Sequence, residues 1–408
     1  IGTSWLARQA GEARVLTLDI GGTSADFALI VDGEVQYGTD EQVGEFPLHI
    51  PSVSVSSIGI GGGSIATLDA QGVLRVGPES AGSNPGPACY ARGGTRPTVT
   101  DALAVCGWLG HSDMAYGQLR MDIDLAKQAV ATISGQLDRG IEETAQAIID
   151  IAVSEMVVEV EKLCSRAGVD LRDFALMPFG GGGPMLGAFL AQELGMTRVI
   201  APRRPGVVSA LGGLVADLRG DFIRTVYAPL TEATLPQLRS EFDALAQEGR
   251  DWLTAQGFTG QADLRLSADM RYAGQSFEIE VGLSPDWLNA TDEIAAAFHE
   301  THKRIYDFED LGGKVELVNL RLSALGGGPK PEFPVSQASH VQADAARHVP
   351  VWIDGWRDVP IYDRASLGGG AVFDGPAIVV QEDTTFAVPP DVRAHVDAHL
   401  NIHLSLAE

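Results

Sequence analysis

Cysteine is scarce in this chain, and so are basic residues and long apolar runs. Only three cysteines occur, Cys89, Cys106 and Cys164, with no CxxC spacing. An odd, scattered set of thiols excludes a disulfide framework and a cysteine zinc site, and reads as reduced thiols of a cytoplasmic protein. Lys and Arg total 29 against 54 Asp and Glu, a formal charge of −25. Such a field repels polyanions, so nucleic acid and anionic membrane surfaces are excluded as partners. No apolar run reaches membrane-spanning length, and no leader pattern is visible. A starting Met is also missing: the sequence opens at Ile1, which leads us to expect a fragment, a processed product or a piece of a longer protein.

Glycine is plentiful, with 48 residues, and it falls at a few strategic places. From Val15 an apolar alternating run reaches Asp19, breaks at Gly21-Gly22 and resumes as a second run to Val31-Asp32-Gly33. That pattern predicts strand, tight turn and returning strand. Turn glycines let backbone N–H groups approach an anion, Thr23 and Ser24 add hydroxyls, and Asp19 and Asp26 are placed to hold Mg²⁺ directly or through water. The hairpin suits the phosphate end of a nucleotide; an ordinary Gly-Gly turn is the bland alternative.

A second cluster, Gly61-Gly62-Gly63-Ser64, follows an alternating run from Val53 to Ile58. It is no Walker loop, since no Gly-Lys-Ser/Thr follows, and it stands either as a ligand contact or as a tight packed turn. Gly33 to Pro51 reads as polar and irregular. Ile65 to Asp69 and Gly72 to Val76 form a short hairpin pattern. Gly77 to Arg96 is too long for a mere connector and predicts an ordered functional loop. Asp101 opens an apolar helix to Leu109, either as its N-cap or as a catalytic carboxylate.

Helices are predicted over Asp122 to Leu137 and Ile141 to Ala167 from their apolar spacing. Phe174 to Phe179, Gly180-Gly181-Gly182-Gly183-Pro184, a helix from Met185 to Leu194 and a strand from Arg198 to Ala201 make a βαβ unit. Its glycine-rich crossing sits at a helix N-terminus, where nucleotides bind, but does not fit the NAD fingerprint. Arg203 and Arg204 are within reach of an anion there, yet read as solvated or structural.

Beyond Tyr227 the pattern changes to helix over Thr231 to Gln256, a strand pair from Leu264 to Val281, a helix over Ile294 to Tyr306 and a strand over Val315 to Ala324. His299 and His302 lack a metal-ligand pattern and read as packing or surface residues. Short strands with Gly and Pro turns follow Gly326. The expected division is therefore 1–226, 227–325 and 326–408, the last a small β-rich module.

Taken together, Leu18 to Asp26, Gly61 to Ala66, Pro85 to Tyr90, Pro97 to Ala102, Phe179 to Pro184, Pro205 to Gly212, Met270 to Ser276 and Gly375 to Val379 resemble the hydantoinase A/5-oxoprolinase family. That family lies within the actin, hexokinase and Hsp70 superfamily, so the resemblance implies an α/β chain. It would hold one ribonuclease-H-like, actin-like ATPase lobe followed by an α+β and β-rich C-terminal domain. The resemblance also implies ATP and Mg²⁺ as cofactors, with Asp19, Asp26 and Asp101 as catalytic residues. The phosphate hairpin would include Gly21, Gly22, Thr23 and Ser24, and the adenosine-side turn Gly180, Gly181, Gly182 and Gly183; Gly61, Gly62, Gly63 and Ser64 would also bind the cofactor. The implied reaction is ATP-dependent opening of a cyclic amide such as a hydantoin or 5-oxoproline; some relatives are ketone carboxylase subunits.

Three departures qualify this. An earlier lobe with its own Asp-x-Gly-Gly-Thr hairpin, usual in the family, is absent, so a missing lobe or a second enzyme subunit is the expected partner. Ser54 and Ser56 stand where the family has Asp-x-His, and Leu186 where it has His. Neither serine nor leucine replaces an imidazole or carboxylate at a metal, so no transition-metal site is expected, and a catalytically degenerate nucleotide-binding scaffold is the alternative.

Overall fold

The computed structural model describes residues 1–38, 41–43, 46–48, 52–112, 117, 119–337 and 339–407. The chain divides into two compact units, one of Ile1–Leu214 with Glu332–Glu408 and one of Val215–Pro331.

The first unit is a mixed α/β body. Its sheet begins with β1 (Val15–Ile20), β2 (Ala25–Val31) and β3 (Glu34–Val35), and Ser56–Ile58 adds β4 alongside β2. β1 and β2 pair antiparallel with Asp19 opposite Asp26. β5 (Ser64–Leu68) and β6 (Leu74–Ser80) form a separate antiparallel pair. On the other side of β1 lie β7 (Ala175–Phe179) and β8 (Arg198–Ala201), each parallel to its neighbour. The resulting order, β3-β2-β1-β7-β8, is an antiparallel meander joined to a parallel βαβ unit, as a ribonuclease-H-like lobe requires. β1 is buried along almost its whole length, with Leu16, Leu18 and Ile20 at 0% exposure, which fits a central strand covered on both faces.

Helices supply that cover. After α1 (Gly2–Gln9), which the sequence pattern did not announce, come α2 (Val99–Val105), α3 (Ile123–Leu137) and α4 (Ile141–Ala167). α3 is capped by Asp122, whose carboxylate accepts from the N–H groups of Asp124 and Leu125. α4 buries Ile148, Ile149, Ala152, Met156 and Val160 at helical spacing and ends in a left-handed Gly168. α5 (Gly183–Glu193) crosses between β7 and β8, and α6 (Val208–Val215) follows β8.

The alternating run at Val53–Ile58 is not one strand. It is broken into Ser52–Val53 and Ser56–Ile58, which pair with different neighbours. The Gly33–Pro51 stretch lies partly outside the described residues.

The tail does not stand apart as the 326–408 module expected from sequence. Its strand Ile402–Ser405 pairs antiparallel with β8, and Arg393–Val396 and Ala371–Asp374 continue the same sheet. A second tail sheet orders Arg347–Trp352, Trp356–Asp363, Ala377–Val380 and Thr385–Val388. The physical reason is that β8 would otherwise present an open edge of unpaired backbone groups, and the tail closes it.

The second unit is an antiparallel sheet in the order Leu218–Pro229, Val315–Gly326, Asp263–Tyr272, Ile279–Leu283, with helices Leu235–Ala255 and Thr291–Tyr306. Leu238, Leu245, Leu253, Phe298, Met270, Leu317 and Leu320 form its core. His299 and His302 are packing residues, as their sequence context predicts. His299 Nδ1 lies 2.8 Å from the Tyr272 hydroxyl and His302 Nδ1 2.8 Å from the Phe308 carbonyl oxygen.

Candidate functional site

Two glycine turns from distant parts of the sequence line one crevice of about 310 Å³: Gly21 and Gly22 from the β1–β2 hairpin, and Gly181 and Gly182 from the β7–α5 crossing. Gly62 and Gly63 add a third side. The fourth is apolar, built from Leu103, Leu109, Met185 and Leu186, and Tyr90 and Thr100 are also in the lining. No charged side chain is among the lining residues. The crevice therefore suits an uncharged ring or aliphatic group, while any phosphate must meet backbone amides or a cation.

The backbone accounting shows which amides are available. Gly21 N–H is spent on Ser24 O (3.0 Å), Gly62 N–H on Gly21 O (3.0 Å) and Gly63 N–H on Gly22 O (2.7 Å). Gly180 N–H goes to Pro205 O (3.1 Å) and Gly182 N–H to Ile20 O (2.9 Å). Among the described residues, the N–H groups of Gly22, Thr23, Ser24, Gly181 and Gly183 make no backbone hydrogen bond, so the turns keep amide donors to spare. Thr23 is exposed and Ser24 half-exposed at the turn tip.

Gly61 and Ser64 serve a different purpose from the one their motif implied. A Cβ on Gly61 would lie 2.8 Å from Gly21 O, Thr23 N and Ser24 N, so this residue is glycine because the hairpin backbone rests directly on it. Ser64 is fully buried and its Oγ accepts from Gly61 N–H at 2.8 Å. Neither lines the crevice; both hold the hairpin turn in place.

Asp19 and Asp26 face each other as cross-strand partners at the end of the hairpin. Burial pushes the Asp19 carboxyl above its ordinary value, a hydrogen bond from Ser209 Oγ (3.3 Å) opposes the rise, and the Asp26 charge adds to it. Ser57 Oγ donates to Asp26 Oδ1. Two close carboxylates, one partly desolvated and neither matched by a cationic side chain among the described residues, fit a divalent cation held directly or through water. Gly180, at φ +79°, sits against Asp19, and a Cβ there would collide with Oδ1. Gly183, the first residue of α5, is buried against Leu18 O.

Asp101 is corrected by its surroundings. Thr98, not Asp101, is the N-cap of α2, and Asp101 occupies the third helical position of a capping box. Its carboxylate is 0% exposed. It accepts from Thr98 N (3.0 Å), Thr98 Oγ1 (2.8 Å), Ala88 N (3.2 Å) and Cys89 N (2.7 Å). Two of these bonds close the capping box with Thr98, and two tie the Pro85–Tyr90 segment to α2. Sealed from solvent, the carboxylate has no access to a substrate.

Of the departures from the family pattern, Ser56 Oγ donates to Glu159 at 2.5 Å, and Leu186 is buried on the apolar side of the crevice. Sequence reasoning missed Ser57, Ser209 and the apolar wall. For Tyr90 the signal was the long Gly77–Arg96 loop; for Ser209 it was the Pro205 to Gly212 motif.

Residues 1–222 match the hydantoinase/oxoprolinase family model, and residues 230–407 match that of the hydantoinase/oxoprolinase C-terminal domain. The chain is 33% identical to the caprolactamase subunit alpha of Pseudomonas jessenii, over 98% of this chain and 59% of that protein. It is 31% identical to the acetophenone carboxylase gamma subunit of Aromatoleum aromaticum, over 98% and 57% respectively. It superimposes on the crystal structure of the ATP-dependent caprolactamase from Pseudomonas jessenii with a TM-score of 0.86 at 32% identity, covering 100% of this chain and 61% of that one. The chain thus spans about three fifths of the length of these relatives. It belongs to the hydantoinase/oxoprolinase family.

Proposed function

We propose that this chain is the nucleotide-binding part of an ATP-dependent enzyme that opens a cyclic amide, completed by a further lobe or a partner subunit. The observation that carries the reading is the convergence of Gly22 and Gly182 on one crevice, beside a pair of carboxylates suited to Mg²⁺. Relatives named as enzyme subunits support the partner.

An amide carbonyl is a poor electrophile, and bound ATP would supply the phosphoryl group that activates its oxygen. The chain's own residues position and neutralise. The amides of Gly22, Thr23 and Gly181 would face negative charge, and Asp19 and Asp26 would hold the cation. The crevice walls of Leu103, Leu109, Met185 and Leu186 exclude water from the uncharged end of the ligand.

A ketone carboxylase subunit is the second reading, favoured by the similarity to acetophenone carboxylase. A degenerate scaffold is the third, favoured by Ser54, Ser56 and Leu186. ATP turnover by the complete, partner-reconstituted protein separates the three. Consumption stimulated by a cyclic amide supports the proposal, and bicarbonate-dependent consumption with a ketone supports the second. No turnover with either class overturns both in favour of a scaffold.

A further inference from the structure

Away from the crevice, three arginines gather at a cavity of about 380 Å³ in the first unit: Arg203 and Arg204 from the loop after β8, and Arg364 from the short turn Arg364–Ser366 of the tail. The gathering is notable in a chain whose acidic residues outnumber its basic ones by 54 to 29. None of the three is well matched. Arg204 reaches Glu382 only at 3.5 Å, with both side chains more than half exposed. Arg203 makes no ion pair among the described residues. Arg364 donates through Nη2 to the Leu400 carbonyl oxygen, but its Nη1 is sealed from solvent with no hydrogen-bond partner. Burial pushes Arg364 down to about 10, with Arg203 and Arg204 adding to the effect against Asp397 and Asp383.

The nearby carboxylates are occupied elsewhere or only half used. Asp363 accepts from Ala365 N–H at 2.9 Å, and Asp397 is held by Asn401 and His403. Asp383 takes Gly206 N–H through Oδ2 at 3.0 Å, leaving Oδ1 without a partner. Guanidinium groups that keep unpaired N–H donors around a cavity are a receptor for oxygen anions, because each planar fork matches two oxygens of one ligand.

We propose that Arg203, Arg204 and Arg364 form a subsite for a small oxyanion, a phosphate or a carboxylate, distinct from the glycine-lined crevice. The loop that carries Arg203 and Arg204 is tied to the nucleotide turn, since Pro205 O accepts Gly180 N–H at 3.1 Å. Thr384, next in sequence to Asp383, donates to Gly181 O at 3.1 Å.

The test is thermal unfolding and calorimetric titration of the full chain with inorganic phosphate and with acetate, against chloride at matched ionic strength. One of the two anions raises the melting temperature of the parent, and the responding anion names the ligand class. Arg203→Gln, at an exposed position that leaves folding undisturbed, weakens that anion's affinity about tenfold. Arg364→Gln does the same or more where it folds. An equal response from the parent and Arg203→Gln overturns the proposal, as does no response to either anion at about 10 mM, a weaker affinity than a site of this charge supports. Neither readout involves turnover or nucleotide, so the subsite and the proposed reaction stand or fall separately.

Discussion

Gly61–Gly63 and Gly180–Gly183 look alike in the sequence, each a glycine run directly after a strand, yet they do different things. In the first run the glycines are chiefly a bed, although Gly62 and Gly63 also line the crevice. Gly61 leaves room for the hairpin backbone, while Gly62 and Gly63 donate to the Gly21 and Gly22 carbonyls. In the second run the glycines open a surface. Gly180 adopts a left-handed φ beneath Asp19, Gly181 keeps its amide, and Gly182 caps α5 at the crevice. Glycine composition therefore locates where backbone meets something closely, but not whether that something is ligand or more backbone.

The largest expected effect comes from breaking the bed. Gly61→Val places a branched side chain against three backbone atoms that have nowhere to go. It should cost stability near the top of the ~1–3 kcal/mol range for overpacking and abolish nucleotide binding, both read by denaturant unfolding and titration calorimetry. Retained binding in a folded Gly61→Val protein would mean the hairpin does not depend on that contact.

Asp101→Asn comes next. It replaces one carboxylate oxygen with an NH2 donor, which then faces either Cys89 N–H or the N–H groups of Ala88 and Thr98. We expect a loss of about 2 kcal/mol in unfolding free energy with nucleotide affinity of the folded protein unchanged. A selective loss of turnover instead would restore Asp101 to the catalytic set.

Gly182→Val tests the open turn. Its Cβ would stand 3.0 Å from Ile20 Cγ2, which Ile20 can partly accommodate, so the main effect is a blocked crevice. Nucleotide affinity should fall at least ~10-fold with a modest change in melting temperature, measured on the same sample. Unchanged affinity would remove the α5 turn from the site.

The smallest effect concerns Asp19. Its folded-state pKa lies above the ordinary carboxylate value, so its contribution to stability is full below that value and lost as pH rises through the raised one. At neutral pH, Asp19→Asn should leave the ligand-free protein as stable as the parent or slightly more so. Mg²⁺-dependent nucleotide affinity should meanwhile drop about tenfold. A destabilised ligand-free variant would show that Asp19 is a structural carboxylate like Asp101.

The β1–β2 hairpin, α3, α4 and the β7–α5–β8 unit are readable without a structure because each is specified by contacts within a short span: alternation, helical spacing, Asp122 as a cap, Gly168 as a stop. The two glycine turns that the sequence singles out line one crevice. What only the tertiary structure decided is everything that depends on partners far along the chain. Asp101 became a buried cap because Ala88 and Cys89 fold back onto it. The tail joined the first unit because β8 offered an edge some 200 residues upstream of Ile402–Ser405. The adjacent Arg203 and Arg204 came to share one cavity with the distant Arg364 by the same folding of the tail. Local pattern encodes which element forms; which backbone and side chains it meets is set by the packing of the whole, where burial and hydrogen-bond satisfaction are decided together.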